Sequence, residues 1–193
     1  MKKFLTFIAI GSFFATVEEF LTVVVLKRDP GSYIFTLLIL FPVFLAFVYF
    51  TSRLIDHFIQ GRTAQDLSHY FIYGLVGLMI EWFLIGLAPW SDPSANPALM
   101  FVFQLGMFSF WATVGFAPRL FLNPGELSRR ARRSILRFYI PYFILAYIIS
   151  LSVPQSLRFV TIIPLIIVGY LLVNLFFVIY FRRSFSRRIS VPS

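Results

Sequence analysis

Three glutamates stand where a carboxylate is costly. Glu18 and Glu19 lie inside the run Gly11–Leu26, and Glu81 lies inside Tyr70–Ala88; both runs are otherwise uncharged and mostly apolar. A charged side chain at mid-bilayer costs at least about 2.5 kcal/mol on insertion scales, and such residues mark proton relays and ion pathways. No Lys or Arg falls in the mid-membrane stretches to neutralise them, so burial favours the protonated, neutral acid. Ser12, Thr16, Thr22, Gln104, Ser109 and Asn174 are the available neutral partners. On a helix, Gly11, Ala15, Glu18 and Thr22 share one face, and Gly74, Gly77 and Glu81 share another. Small residues beside an acid point to a face packed on other helices, because they permit close approach. Glu19 stands about 100 degrees round from Glu18, on a face with Ser12 and Thr16.

The acids recur in register. Shifted by 63 residues, Gly11, Glu18, Phe20, Leu21, Asp29 and Pro30 fall on Gly74, Glu81, Phe83, Leu84, Asp92 and Pro93. After a three-residue insertion, Ser52-Arg53-Leu54 faces Pro118-Arg119-Leu120. The expectation is two tandem copies of one helical hairpin, about 4–55 and 70–117, with a third hairpin, about 136–181, that lacks the acid. Duplicated bundles are frequent in transport proteins. The candidate substrate or ion site is therefore Glu18 and Glu81, assisted by Glu19, Thr22 and Gln104. Three readings of it stand side by side: proton- or cation-linked transport, contact with a partner as an accessory or assembly subunit of a larger membrane complex, and an intramembrane enzyme using a glutamate as general acid on a lipid or isoprenoid. Protonated glutamates acting only as hydrogen-bonding glue between helices are the structural alternative.

Other motifs add little chemistry. The segment Thr16–Leu21, "TVEEFL", is similar over these few residues to the acidic motif of membrane carotenoid cyclases, which implies glutamates that protonate a polyene; the proline before that family's acids is absent. The CAAX-type membrane proteases also carry an acidic pair, but Val23 stands where their pattern has Arg, and neither histidine lies in a predicted span. His57 and His69, with Asp56 and Asp66, are expected on a solvated loop, spaced too loosely for a metal site. No P-loop, dinucleotide-binding glycine pattern or serine elbow is present, and no cofactor or metal is expected. Asp29-Pro30 and Asn96-Pro97 read as helix caps with Pro in the first turn. Asn123-Pro124-Gly125-Glu126 reads as a capping box.

The elements that carry these residues follow from composition. The chain has 193 residues, is 59% hydrophobic and 20% aromatic but only 13% charged, and has no cysteine. A mean hydropathy of +0.85 is more than a soluble fold of this size can bury. The fold class is all-α: one polytopic membrane domain, residues 1–193, with six transmembrane helices. They are expected at Phe4–Leu26, Tyr33–Ile55, Tyr70–Ala88, Ala98–Phe116, Phe138–Val153 and Phe159–Phe181. Pro42, Pro141 and Pro164 fall inside them and are expected to bend them. With both termini on one side, that side holds fourteen basic residues and the other only Lys27, Arg28 and Arg158. The split places both termini in the cytoplasm of a cell bearing this protein in its plasma membrane. The net charge of +9 is then a topology signal, not a nucleic-acid surface. Arg129, Arg130, Arg132 and Arg133 are expected at anionic headgroups of the cytoplasmic leaflet. Six helices enclose little space, which points to a homo-oligomer or a membrane-protein partner.

Overall fold

The computed structural model describes residues 1–91, 94 and 96–189, and side chains as far as residue 186. It is all-helical; no strand occurs among the described residues. Six helices are long and apolar enough to cross a membrane: α1 (Lys2–Leu26), α2 (Pro30–Phe58), α3 (Arg62–Ile85), α4 (Pro97–Leu122), α5 (Glu126–Ser152) and α6 (Gln155–Ile189). At about 1.5 Å rise per residue, even the shortest exceeds the roughly 30 Å of hydrocarbon.

Helix α4 is the hub. Over half of its most apolar window is buried, against about a fifth in α2. It packs on α1, α3 and α6, while α2 leans on α1 and α5 on α6. Its inner face runs Phe110, Trp111, Ala112, Val114, Phe116 and Ala117, all buried. The outward faces stay apolar: Leu38, Val43 and Phe50 on α2 and Ile144 and Ile148 on α5 are more than half exposed. A bilayer supplies the solvent such surfaces need.

Local chemistry sets the ends. Asp29 caps α2, accepting the Ser32 backbone N–H at 3.0 Å, with Pro30 in the first turn. The Ser32 hydroxyl, and then its N–H, hold the Asp29 carboxyl below the usual carboxylate range. A depressed carboxyl strengthens its cap above the unfolded-state value and loses that gain as pH falls through the folded one. Asn96 caps α4 through the N–H groups of Ala98 and Leu99 at 2.9 and 3.3 Å. Asp92 and Pro93 lie outside the described residues. The capping box at Asn123–Glu126 does not form: α5 starts at Glu126 behind Gly125, and Asn123 accepts only the Gly125 N–H, at 2.9 Å. Its side-chain oxygen closes the turn and does not cap α5.

The helices run past the apolar segments at the end that carries the chain termini. Helix α3 begins eight residues before Tyr70, and α5 begins twelve before Phe138. Polar and basic turns continue a helix because its backbone bonds close internally, whatever faces the solvent. Three stretches widen to i→i−5 bonding: Phe20–Leu26, Thr36–Leu40 and Glu81–Ile85. The second leads into Pro42, whose missing N–H breaks the regular ladder. The helices continue through Pro118, Pro141 and Pro164.

Candidate functional site

Glu18 and Glu81 face the same space. They line one cavity of about 40 Å³ between α1, α3, α4 and α6, with Thr22, Phe103, Gly106, Met107, Phe110, Ile163, Ile166 and Ile167. A space this size holds a water or two. Ile163 is eight residues into α6, about 12 Å from that helix's start. The cavity therefore lies well inside the bundle, nearer the end opposite the termini.

Each acid is placed by its neighbours. Glu81 is 7% exposed and accepts the indole N–H of Trp111 at 2.9 Å. Trp111 reaches it by lying on Gly77, where a Cβ would stand 2.0 Å from the indole Cγ. Phe44 meets the indole edge-on with ring centres 4.7 Å apart, fixing its plane. Glu18 is half-buried, and the Thr22 hydroxyl donates to its backbone carbonyl at 3.0 Å. Helices α1 and α3 both widen at the acids. The widened turn of α1 starts one residue after Glu19, and that of α3 starts at Glu81 itself. Both helices close by the same device, a left-handed residue followed by an i→i−6 bond. Arg28 (φ 61°) precedes Asp29 N–H→Val23 O at 2.9 Å, and Gly86 (φ 82°) precedes Leu87 N–H→Glu81 O at 2.9 Å. Widened turns of this kind are frequent at functional sites.

Two expected members stand apart. Glu19 is half-buried but does not line the cavity. Gln104 is turned elsewhere, accepting the Trp82 indole N–H at 2.7 Å and donating to Leu87 O at 2.9 Å. Its amide ties α4 to the end of α3. Asn174 and Ser109 also serve packing: Asn174 donates to the backbone carbonyls of Ser109 and Tyr170 at 3.1 and 2.7 Å and accepts from Tyr70. Of the basic loop, Arg129 and Arg130 are exposed beside Glu126, Arg133 is exposed, and Arg132 turns inward to the Phe121 carbonyl.

A second polar cluster lies at the end of the bundle that carries the termini, and the sequence reading missed it. His69 and Asp66 do not lie on a solvated loop. Both are inside α3, His69 fully buried and Asp66 3% exposed. Arg119 of α4 bridges Asp56 and Asp66, donating at 2.8 Å to each. His69 Nε2 is 2.9 Å from Asp56 Oδ1, and its Nδ1 is 3.2 Å from the Tyr73 hydroxyl. Tyr180 of α6 donates to the other Asp66 oxygen at 2.8 Å. Six side chains from four helices thus form one satisfied network. His57, by contrast, is exposed. Among the described residues, no three His, Asp or Glu converge to hold a metal ion.

No protein-family model, curated protein or solved structure matches the chain.

Proposed function

We propose that this chain moves protons across a membrane, with Glu18 and Glu81 as the pair that takes up and releases them. The observation that carries this reading is their shared cavity, whose lining is otherwise apolar apart from Thr22. Two carboxylates in one apolar space repel when both are ionised, so the pair holds a proton between them. The rest of the lining decides between a proton and a metal cation. Beyond Thr22 it is Phe, Ile, Met and Gly, so a cation that needs six or more oxygens finds too few. The Trp111 indole N–H fixes the position of the Glu81 carboxyl in this space.

Infrared difference spectroscopy between acidic and alkaline buffer tests proton binding directly. The wild-type protein is expected to show a protonated-carboxyl C=O band that titrates, and Glu18→Gln and Glu81→Gln are each expected to remove most of it. A band unchanged in both variants contradicts the assignment.

The reading extends to architecture. The first four helices form two tandem hairpins, and the third hairpin completes the bundle. One pair of contacts supports this: a Cβ on Gly11 would stand 2.3 Å from Leu45, and one on Gly74 would stand 2.4 Å from Phe108. Both the glycines and their partners are separated by the same 63 residues. The pair then lies across an approximate internal symmetry. The basic-residue asymmetry supports a plasma-membrane protein with both termini in the cytoplasm.

A further inference from the structure

A second space, distinct from the Glu18–Glu81 cavity, opens on the membrane-facing side between α1, α2 and α5. It has a volume of about 340 Å³ and an almost wholly apolar lining that includes Val17, Phe20, Tyr33, Ile144 and Tyr147. Phe20 fixes its wall, edge-on to Tyr33 at 5.6 Å and tilted against Tyr147 at 5.7 Å. A volume in this range suits one elongated apolar chain.

What stands beyond the groove is charged. Lys27, Arg28 and Arg158 are the only basic residues at this end, and they gather where α1, α5 and α6 meet. Arg28 donates to Gln155. Arg158 donates to Val25 O at 3.2 Å and Val153 O at 3.4 Å, which ties the three helix ends together. Among the described residues none of the three is in an ion pair. The adjacent carboxylate, Asp29, is occupied by the Ser32 N–H and hydroxyl. Lys27 is seven residues beyond Phe20, and Val153, whose carbonyl Arg158 holds, is six beyond Tyr147, so the cluster begins about 9–11 Å along the helices from these groove residues. The interfacial layer beyond the hydrocarbon is about 5–8 Å deep on each side. The spacing thus sets a positive cluster just beyond the apolar slot, toward the end of the bundle, where headgroups lie if these helices cross a bilayer.

We propose that this groove binds an anionic phospholipid, its acyl chain in the slot and its phosphate held by Lys27 and Arg28. Arg158 adds charge but is spent on carbonyls, so it frames the site and does not grip the headgroup. A zwitterionic lipid fills the same slot without the charge pairing, and is retained less.

The test uses the full chain in phosphatidylcholine nanodiscs doped with a diazirine-acyl phosphatidylglycerol or the matching phosphatidylcholine. Adducts are mapped by peptide mass spectrometry. The phosphatidylglycerol probe is expected to label segments 13–21 and 139–147 more than the phosphatidylcholine probe does. Lys27→Gln with Arg28→Gln is expected to lower that excess by about fivefold per cation removed, while labelling beside Arg129–Arg137 stays unchanged. Val17→Trp, which fills the slot, is expected to lower labelling by both probes. Equal labelling of the groove in the wild-type protein, an excess that survives the double substitution, or labels untouched by Val17→Trp would each overturn the proposal.

Discussion

At the residue scale, the pair Gly77 and Trp111 decides how Glu81 is held. A methyl group at residue 77 overlaps the indole, so Gly77→Ala pushes Trp111 away and breaks its bond to Glu81. Overpacking of this kind costs about 1–3 kcal/mol; chemical unfolding in mixed micelles is expected to show that loss, together with a changed Trp emission. The Asp66–Arg119 pair is the sharper stability test. Asp66 keeps 4% of its side chain exposed, so Arg119→Ala strands a buried carboxylate and is expected to cost about 3–5 kcal/mol by the same unfolding assay. Arg119→Lys keeps the charge but cannot span both aspartates with one planar fork, and is expected to fall between. Glu18 and Glu81 stood out in the sequence because an acid in an apolar run is costly, whether it serves chemistry or only bonds one helix to another. Trp111 did not, since a tryptophan in a span reads first as packing. Nor did the His69 cluster: its partners Asp56, Asp66 and Arg119 are up to 63 residues apart, and Arg119 read as one more topology charge.

At the scale of elements, existence and type were plain from hydrophobic runs, but extent was not. Hydropathy sees only the stretch that contacts lipid, so it missed the polar turns that extend α3 and α5. It is equally blind to the widened turns, which have no residue signature beyond the Pro42 that follows one of them. Those turns carry a measurable consequence. Their bonds are more poorly aligned than α-helical ones, so hydrogen–deuterium exchange is expected to be faster over Phe20–Leu26 and Glu81–Ile85 than over the buried face of α4. Uniform protection across α1, α3 and α4 would show that the widened ends are no softer than regular helix. For the proposed proton transfer such turns are apt, because an acid reached from two sides needs backbone that gives way, and the widened turns of α1 and α3 adjoin the acids.

For the whole molecule, the chain's lack of cysteine makes topology directly readable. Ser91→Cys is expected to react with an impermeant maleimide on intact cells, and Ser186→Cys only after permeabilisation; the reverse pattern would invert the orientation proposed from the basic residues. With the sidedness known, the central claim is a statement about flux. The most direct measurement is proton uptake by proteoliposomes containing the purified protein, under an imposed potassium-diffusion potential and read with a trapped pH dye. Potential-driven uptake is expected from the wild-type protein, reduced to the protein-free leak by Glu18→Gln, by Glu81→Gln and by both together. Full flux in the double variant, or no flux above leak in the wild-type protein, would contradict it.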